Sequence, residues 1–480
     1  EVEQMNLFKD MVCYQEEVRD PSRMAEVLNR VIEKAFRGSA PAQINVPRDY
    51  WTQVIDIELP PIVRFERQGG GKDAIERAAK LLSDAKFPVI LSGAGVVIGD
   101  AIEDCKKIAE KLDAPVCSGY QHNDSFPGSH PLAVGPLGYN GSKAAMQLIS
   151  KADVILALGT RLNPFSTLPG YGIDYWPKEA SIIQVDMNPD RIGLTKKVTV
   201  GICGDAKMVS QQLLAKLSEK AGNNGREDRK NLIHQTKSAW LQTLSGLDHE
   251  DDDPGTVWNK EARERDKDRM SPRQAWRAIQ TAMPDDAIIS SDIGNNCAIG
   301  NAYPTFEKGR KYLAPGLFGP CGYGFPSILG AKIGCPKTPV IGFAGDGAFG
   351  ISMNEMSSCA RKEWPAITMV IFRNYQWGAE KRNSILWFDD NFIGTELDPE
   401  LSYAKVANAC GLKGVTVKTM EETTKAIKQS CDDQKKGITT FIEVILNQEL
   451  GEPFRRDAMK KPVKVAGINK EDMKPQKSLI

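Results

Sequence analysis

The residues with the clearest chemical potential are a carboxylate and an amide that each follow a predicted strand. Asp346 comes after the apolar run 339–344, and Asn374 follows the apolar run 367–372. Their separation matches one strand–helix–strand crossover with a helix expected at 353–362, so both would lie at the carboxyl ends of parallel strands, where doubly wound sheets place ligands. A carboxylate, an amide oxygen and a nearby backbone carbonyl are hard ligands suited to Mg²⁺ or Ca²⁺. We therefore predict a metal site here with room for phosphate oxygens.

Two small residues next to this carboxylate support a phosphate site. Gly347 and Ala348 would let the backbone approach a diphosphate at the start of the following helix. Asp-Gly is also a common turn, so this pair alone would not distinguish a site from a loop. The spacing, the ligand chemistry and the Asn at the second strand end together favour the functional interpretation.

The elements that must position these residues form three predicted α/β blocks. Continuous apolar strands alternate with amphipathic helices, which predicts parallel sheets covered on both faces. The predicted blocks are residues 1–62, 72–220 and 271–452, with a charged linker at 221–270 and an extended tail at 453–480. The acidic run 250–253 is interpreted as a solvated part of that linker.

Composition narrows the class of protein. Lys+Arg and Asp+Glu both number 62, so a net charge of zero gives no support to a nucleic-acid partner. No apolar run reaches the roughly 18 residues of a membrane helix. The 10 cysteines include no C-x₂-C pair, which suits a reducing compartment, and we predict a cytoplasmic protein. All 4 histidines lie at or before His249, so chemistry in the last half must use carboxylates, amides, a metal or a bound cofactor.

The Gly-Asp-Gly at 345–347, followed at this interval by Asn374, resembles the cofactor signature of thiamine diphosphate-dependent enzymes. Three other segments are similar to parts of that superfamily. They are the predicted diphosphate loop 290–296, the Gly-rich segment 319–326 and the end of the pyrimidine-binding domain at 40–49. The resemblance spans the chain and implies three doubly wound domains of this enzyme type, the first of them incomplete.

The resemblance also implies residue roles. Asp346, Asn374 and the Gln376 carbonyl would hold Mg²⁺, and the Gly319 carbonyl would receive the cofactor's amino group. Cys321 would replace the larger apolar wedge that usually bends the cofactor, a departure from the pattern. The predicted cofactor-binding residues are Ile293, Gly294, Asn295, Asn296, Gly319, Cys321, Asp346, Gly347, Ala348 and Asn374.

One element of the superfamily is missing from the chain. Its pyrimidine-binding domain carries a glutamate that activates the cofactor, and no residue in 1–60 matches that motif. We therefore expect an N-terminally truncated sequence. Members of the superfamily place the cofactor between subunits, which implies a homodimer or homotetramer with the active site at the interface.

Within the superfamily, the chain most resembles the sulfoacetaldehyde acetyltransferases, in the stretches 372–383, 385–390 and 452–457. The resemblance implies that sulfoacetaldehyde and phosphate are converted to acetyl phosphate and sulfite. Two anionic substrates call for cationic contacts, and we predict Lys381 and Arg382, with solvated helix charges as the alternative.

Two other functions stay open. The chain could be an acetolactate synthase-like enzyme or another lyase of 2-oxo acids, or a non-catalytic fragment or subunit. The segments 92–95 and 159–161 are similar to a flavin or dinucleotide site of such relatives. Their glycine spacing does not match G-x-G-x-x-G, and we interpret them as structural.

Overall fold

The computed structural model describes residues 2–61, 66–138, 140–246, 266–316, 318–361, 363–387 and 393–449. It divides into two compact units, Glu1–Arg67 and Gln68–Ile480. The predicted tail 453–480, the acidic run 250–253 and the stretch 452–457 lie outside the described residues.

The first unit is a small parallel α/β element. In chain order it contains α1 (Gln4–Phe8), β1 (Tyr14–Glu17), α2 (Met24–Gly38) and β2 (Ala42–Asn45). β1 and β2 pair in parallel, as expected for strands joined by a crossover helix. Val27 and Val31, one turn apart on α2, pack with Val18 into a small core.

The second unit begins with a six-stranded parallel sheet in the order β5-β4-β3-β6-β7-β8. The strands are β3 (Pro88–Ser92), β4 (Val116–Gly119), β5 (Ala133–Leu137), β6 (Val154–Leu158), β7 (Ser181–Asp186) and β8 (Val200–Cys203). The helices are α3 (Lys72–Asp84), α4 (Ala94–Ile98), α5 (Ile102–Leu112), α6 (Lys143–Ile149) and α7 (Ala206–Lys216). β3 and β6 are buried along their whole length because helices cover both faces.

Glycines bring the loops after β3 and β6 into direct contact. The Gly95 N–H donates to the Gly159 carbonyl at 2.8 Å. A Cβ on Gly93 would lie 2.7 Å from the same carbonyl oxygen, so only glycine fits there. This close approach gives the glycines at 92–95 and 159–161 a structural role of the kind predicted.

A second six-stranded parallel sheet follows in the same unit, in the order β10-β9-β11-β12-β14-β13. The strands are β9 (Ile288–Ser291), β10 (Tyr312–Leu313), β11 (Val340–Gly345), β12 (Thr368–Arg373), β13 (Lys413–Val417) and β14 (Thr440–Ile445). Its helices are α9 (Pro272–Ala282), α10 (Asn295–Ile299), α11 (Gly324–Gly334), α12 (Asp346–Ser352), α13 (Met356–Cys359), α14 (Gly378–Trp387), α15 (Tyr403–Ala409) and α16 (Met420–Lys435).

The predicted fold class, α/β with parallel sheets of the thiamine diphosphate-enzyme type, is confirmed by this strand order. Each strand pair in all three sheets is parallel. None of the helices in the described part of the chain is both long and apolar enough to span a membrane.

Two local expectations differ from the structure. The predicted linker 221–270 contains a 21-residue helix, α8 (Arg226–Gly246), which buries Ile233 and Trp240. Its few apolar residues are widely spaced, so the sequence reads as polar although tertiary contacts hold the helix. The helix expected at 353–362 instead starts at Asp346 as α12 and continues through a 3₁₀ turn into α13.

Candidate active site

The Asp346 carboxylate lies at the carboxyl edge of the second sheet and is almost completely buried. Its Oδ2 accepts hydrogen bonds from the Tyr375 N–H at 2.7 Å and from Arg373 Nη1 at 3.1 Å. Its Oδ1 accepts from the Gly347 N–H at 3.0 Å. Burial raises the pKa of Asp346 to about 6, and the Arg373 guanidinium opposes that rise. The carboxylate is thus preorganised and poorly solvated, as a cation ligand needs to be.

Asn374 and Gln376 leave side-chain oxygens without protein partners beside this carboxylate. β11 pairs with β12 so that Gly345 lies opposite Phe372, which places Asp346 and Asn374 just beyond neighbouring strand ends. Asn374 Oδ1 and Gln376 Oε1 are both buried and accept no hydrogen bond from the residues that the structure describes. Orphaned buried oxygens of this kind are costly unless a ligand satisfies them. They therefore fit a bound divalent cation, with Asp346 as the charged ligand.

The backbone between these two amides is held in an uncommon conformation. Tyr375 has φ of +61°, in the left-handed region that few non-glycine residues adopt. Its N–H is thereby aimed at Asp346, and its carbonyl accepts from the Leu397 N–H at 2.9 Å. The strained residue sets the positions of Asn374 and Gln376 on either side of it.

The predicted diphosphate loop turns sharply after β9. Gly294 has φ of +130°, which L side chains rarely adopt, and α10 starts directly after it. Asn295 and Asn296 lie buried in the first turn of this short helix. The Asn296 carbonyl accepts from Trp276 Nε1 at 2.6 Å, while its side-chain Oδ1 has no partner. Ile293 lies against the position that a Cβ on Gly319 would take, at 3.8 Å.

Asp292 fastens the Gly-rich segment to the end of β9, and sequence analysis missed it as a site residue. Its Oδ1 accepts from the Ile293 N–H at 2.8 Å and from the Gly322 N–H at 3.1 Å. Its Oδ2 accepts from the Gly324 N–H at 2.6 Å. Burial raises the pKa of Asp292 against these bonds. Its position within the predicted diphosphate loop 290–296 was the signal in the sequence that could have indicated a role. The Gly322 and Gly324 N–H groups that it binds lie about thirty residues further along the chain.

The segment that carries Gly319 and Cys321 is shaped by this clamp. Gly319 and Gly322 have φ of +64° and +87°. Cys321 lies between them and is partly buried. Burial, then the charges of Asp292 and Glu380, raise the pKa of its thiol. A protonated, partly buried thiol suits an apolar contact, and the role of Cys321 under the cofactor stays a prediction.

Gly347 and Ala348 lie at the start of α12, as expected for residues that face a diphosphate. A Cβ on Gly347 would come within 2.7 Å of the Trp377 ring. Glycine is therefore required here by the packing of the indole against α12. Ala348 is buried as well.

The two predicted anion contacts lie in the first turns of α14. Lys381 forms an ion pair with Glu396, and Arg382 is 4% exposed. Arg382 is buried and Lys381 is half-buried, and an anion-binding role for the two stays a prediction. Among the described residues, no group of three His, Cys, Asp or Glu could hold a metal ion.

Family models identify the two large sheets. "Thiamine pyrophosphate enzyme, central domain" matches residues 75–213, and "Thiamine pyrophosphate enzyme, C-terminal TPP binding domain" matches residues 292–444. The second match contains the buried carboxylate, the two amides beyond β12 and the whole Gly-rich segment 319–326. The predicted thiamine diphosphate cofactor, with Mg²⁺ as the usual partner metal of the family, is thereby confirmed.

Two relatives narrow the family. A probable sulfoacetaldehyde acetyltransferase of Rhizobium meliloti (strain 1021) is 76% identical over 479 residues, covering 100% of this chain and 81% of the relative. The chain belongs to the sulfoacetaldehyde acetyltransferase family. A second member, from Roseovarius nubinhibens, is 73% identical and is covered to 79% of its length by 99% of this chain. The family predicted from the sequence is confirmed.

The fold of this acetyltransferase-family chain also matches a solved structure. Benzoylformate decarboxylase from Polynucleobacter necessarius superposes with a TM-score of 0.74 at 21% identity, covering 94% of this chain and 79% of that one. At that identity the likeness shows the shared architecture alone. It agrees with the parallel sheets and their order along the chain.

Proposed function

We propose that the protein converts sulfoacetaldehyde and phosphate to acetyl phosphate and sulfite, using thiamine diphosphate and Mg²⁺. The observation that carries the proposal is the buried Asp346 beside two orphaned amide oxygens, in a chain 76% identical to a probable sulfoacetaldehyde acetyltransferase. The reaction balances without a redox partner, because sulfite leaves one carbon and phosphate accepts the acetyl group.

Asp346 and the Asn374 amide oxygen would hold Mg²⁺, and the predicted third ligand is the Gln376 carbonyl. Gly347 and Ala348 would leave space for diphosphate oxygens at the start of α12. When bound, thiamine diphosphate supplies a nucleophilic carbon for an aldehyde substrate. The chain's own contribution is orientation: Asp292 holds the segment that bears Gly319 and Cys321, which the proposal places beneath the cofactor.

Lys381 and Arg382 are proposed as contacts to sulfonate or phosphate. Both lie on α14, which starts four residues after Asn374. A guanidinium can bind a tetrahedral anion through two parallel hydrogen bonds, whereas an ammonium acts as a point charge. Replacing each by Ala should raise the KM for phosphate or sulfoacetaldehyde. Unchanged KM values for both substrates in both variants would reject this assignment.

The assembly and location are proposed on separate grounds. Ten free cysteines suit a reducing cytoplasm, and the Glu1–Arg67 and Gln68–Ile480 units are proposed as the remainder of a pyrimidine-binding domain and as the central and diphosphate-binding domains. We further propose a homodimer or homotetramer with the active site between subunits. Sedimentation velocity of the purified protein would give its mass, and a monomer that is fully active would contradict a shared site.

The deciding experiment measures sulfite release from sulfoacetaldehyde by full-length protein with thiamine diphosphate and Mg²⁺, with and without phosphate. Phosphate-dependent sulfite release with equimolar acetyl phosphate is the expected result. Condensation of pyruvate in place of sulfite release would favour an acetolactate synthase-like enzyme. Neither activity, in a protein that binds no cofactor, would favour a non-catalytic subunit.

A further inference from the structure

Arg373 donates a hydrogen bond to the Asp346 carboxylate and forms a buried ion pair with Glu443. Both Arg373 and Glu443 lie outside the cofactor motif. We propose that Arg373, backed by Glu443, is a positioning residue that fixes Asp346 for the divalent cation. The inference rests on the Mg²⁺ dependence in the proposed function. It concerns two residues to which the sequence pattern assigned no role.

Arg373 restricts which oxygen of the Asp346 carboxylate is left for the cation. The two oxygens of a carboxylate offer about four acceptor positions. Arg373 Nη1 and the Tyr375 N–H occupy Oδ2, at 3.1 and 2.7 Å. The Gly347 N–H occupies one position on Oδ1, at 3.0 Å. One acceptor position on Oδ1 is left, so Arg373 directs the cation to a single oxygen of Asp346.

The Arg373 side chain is itself held in one position. Its side chain is fully buried, and its Nη2 donates to the carbonyls of Asp398 and, at 3.0 Å, Leu401. The guanidinium carbon lies 4.3 Å from the ring centroid of Tyr375 and 5.4 Å from that of Tyr403. A planar guanidinium held at both of its Nη atoms and faced by two rings has one orientation, which a lysine could not reproduce.

Glu443 sets the net charge of the buried group that it forms with Arg373 and Asp346. Glu443 Oε1 lies 3.8 Å from Arg373 Nε, and both side chains are buried. Glu443 is held by Ser402 Oγ at 2.7 Å and Thr416 Oγ1 at 3.1 Å. A lone arginine beside Asp346 would neutralise the metal ligand, whereas Glu443 leaves the three groups with one net negative charge. That charge favours cation binding: neutralising Glu443 would remove it, and losing Arg373 would leave two buried carboxylates without a cation between them.

The network also joins the carboxylate to the chain beyond α14. Tyr403 Oη donates to the Asp346 carbonyl at 2.9 Å, and its backbone N–H donates to Glu443 at 3.1 Å. Asp398, Leu401 and Ser402 bond to Arg373 or Glu443, so the start of α15 is fastened to the strand end that bears Asp346. A change at Arg373 should therefore displace the metal ligand and not only loosen the core.

A matched control is available on helix α8. Arg229 is also buried, and its guanidinium donates to five backbone carbonyls, those of Lys86, Leu112, Asp113, Gly222 and Asn224. Arg229 is far from the metal site in the sequence and in the fold. Arg229→Lys therefore tests the effect of losing a buried guanidinium alone. Glu443→Gln keeps the shape of Glu443 and removes its charge.

The experiment titrates Mg²⁺ into each folded variant at saturating thiamine diphosphate by calorimetry, beside chemical unfolding without metal. Arg373→Lys and Glu443→Gln should weaken Mg²⁺ binding about 10- to 100-fold, the range typical of groups that orient metal ligands. Raised Mg²⁺ should restore kcat in both. Arg229→Lys should lower stability and leave the Mg²⁺ Kd unchanged.

The outcomes separate this inference from the function it rests on. A wild-type Mg²⁺ Kd in Glu443→Gln and Arg373→Lys, with stability lowered as in Arg229→Lys, would show a purely structural pair and overturn the inference. If Arg373→Lys does not fold, the Kd of Glu443→Gln decides alone. Wild-type protein that binds no Mg²⁺ with thiamine diphosphate would reject the proposed function itself.

Discussion

At Asp346, burial and charge act in opposite directions on one carboxyl group. Burial raises its pKa to about 6 from the ordinary value of 3.8, and the Arg373 guanidinium limits the rise. Between about pH 4 and pH 6 the group is therefore mostly protonated in the folded protein and mostly ionised in the unfolded chain. A proton on Asp346 and a cation compete for the same oxygen.

A pH dependence of metal binding follows at this residue. Mn²⁺ binding to cofactor-free protein should be constant above about pH 6 and weaken about tenfold per pH unit below it, because protonated Asp346 cannot ligate. Electron paramagnetic resonance of free Mn²⁺ measures this directly. In Asp346→Asn, binding should be weak at every pH. Wild-type affinity that stays flat down to about pH 5 would contradict the assignment of Asp346 as a ligand.

Gly347 gives a second prediction at the scale of the residue. In Gly347→Ala the new Cβ would meet the Trp377 ring at 2.7 Å, so the ring or α12 must shift. We expect a loss of about 1–3 kcal/mol in the free energy of unfolding, as for other overpacked sites. Gly345→Ala is the control, because no atom lies within 4 Å of its added Cβ. Equal stability of the two variants in urea would contradict the packing argument.

At the scale of the element, Asp292 joins β9 to the start of α11 and to the Gly-rich segment before it. Three backbone N–H groups point at its carboxylate. Each of these N–H groups needs an acceptor. An asparagine at this position has a single side-chain oxygen, so it can accept only from the N–H groups that now bind one of the two carboxylate oxygens.

Asp292→Asn should therefore lower stability by about 1–3 kcal/mol and weaken thiamine diphosphate binding. Tryptophan fluorescence during cofactor titration and urea unfolding measure the two effects. Asp286→Asn, at an exposed residue before β9, should change neither. A stable Asp292→Asn protein with wild-type cofactor affinity would show that the Gly-rich segment is held by other contacts.

At the scale of the whole molecule, side chains of the first large sheet hold the edge of the second within the unit Gln68–Ile480. The buried Asp124 carboxylate accepts from the Lys311 and Tyr312 N–H groups, at 2.9 and 3.3 Å, beside the edge strand β10. Asn123 Nδ2 donates to the Asn301 carbonyl at 2.7 Å. The two bonds of Asp124 satisfy backbone N–H groups at the edge strand that would otherwise be unpaired.

Asp124→Ala should uncouple the two sheets. Two buried N–H groups would lose their acceptor, at a cost of about 2–4 kcal/mol. Scanning calorimetry should then resolve two unfolding transitions in place of one. The control is Asp100→Ala, which removes an exposed ion pair to Arg310 and should cost about 1 kcal/mol or less. A single transition at the wild-type temperature in Asp124→Ala would refute the coupling.

The sequence by itself determined the parallel α/β class and the cofactor motif. Asp346 and Asn374 each follow a continuous apolar strand, and strand ends of that type meet at one edge of a sheet whatever the remaining contacts are. The same reasoning did not predict the helix α8. It is held through Arg229 and Trp240 by the first large sheet, and its own residues carry little apolar periodicity.

Only the tertiary structure decided which charges surround the metal ligand. β12 lies between β11 and β14, so Arg373 has Asp346 on one side and Glu443 on the other. Asp292 likewise finds its partners about thirty residues further along the chain. Such contacts depend on the order of strands in the sheet. A buried charge and its partner leave no mark in local spacing, because folding brings them together across the sheet.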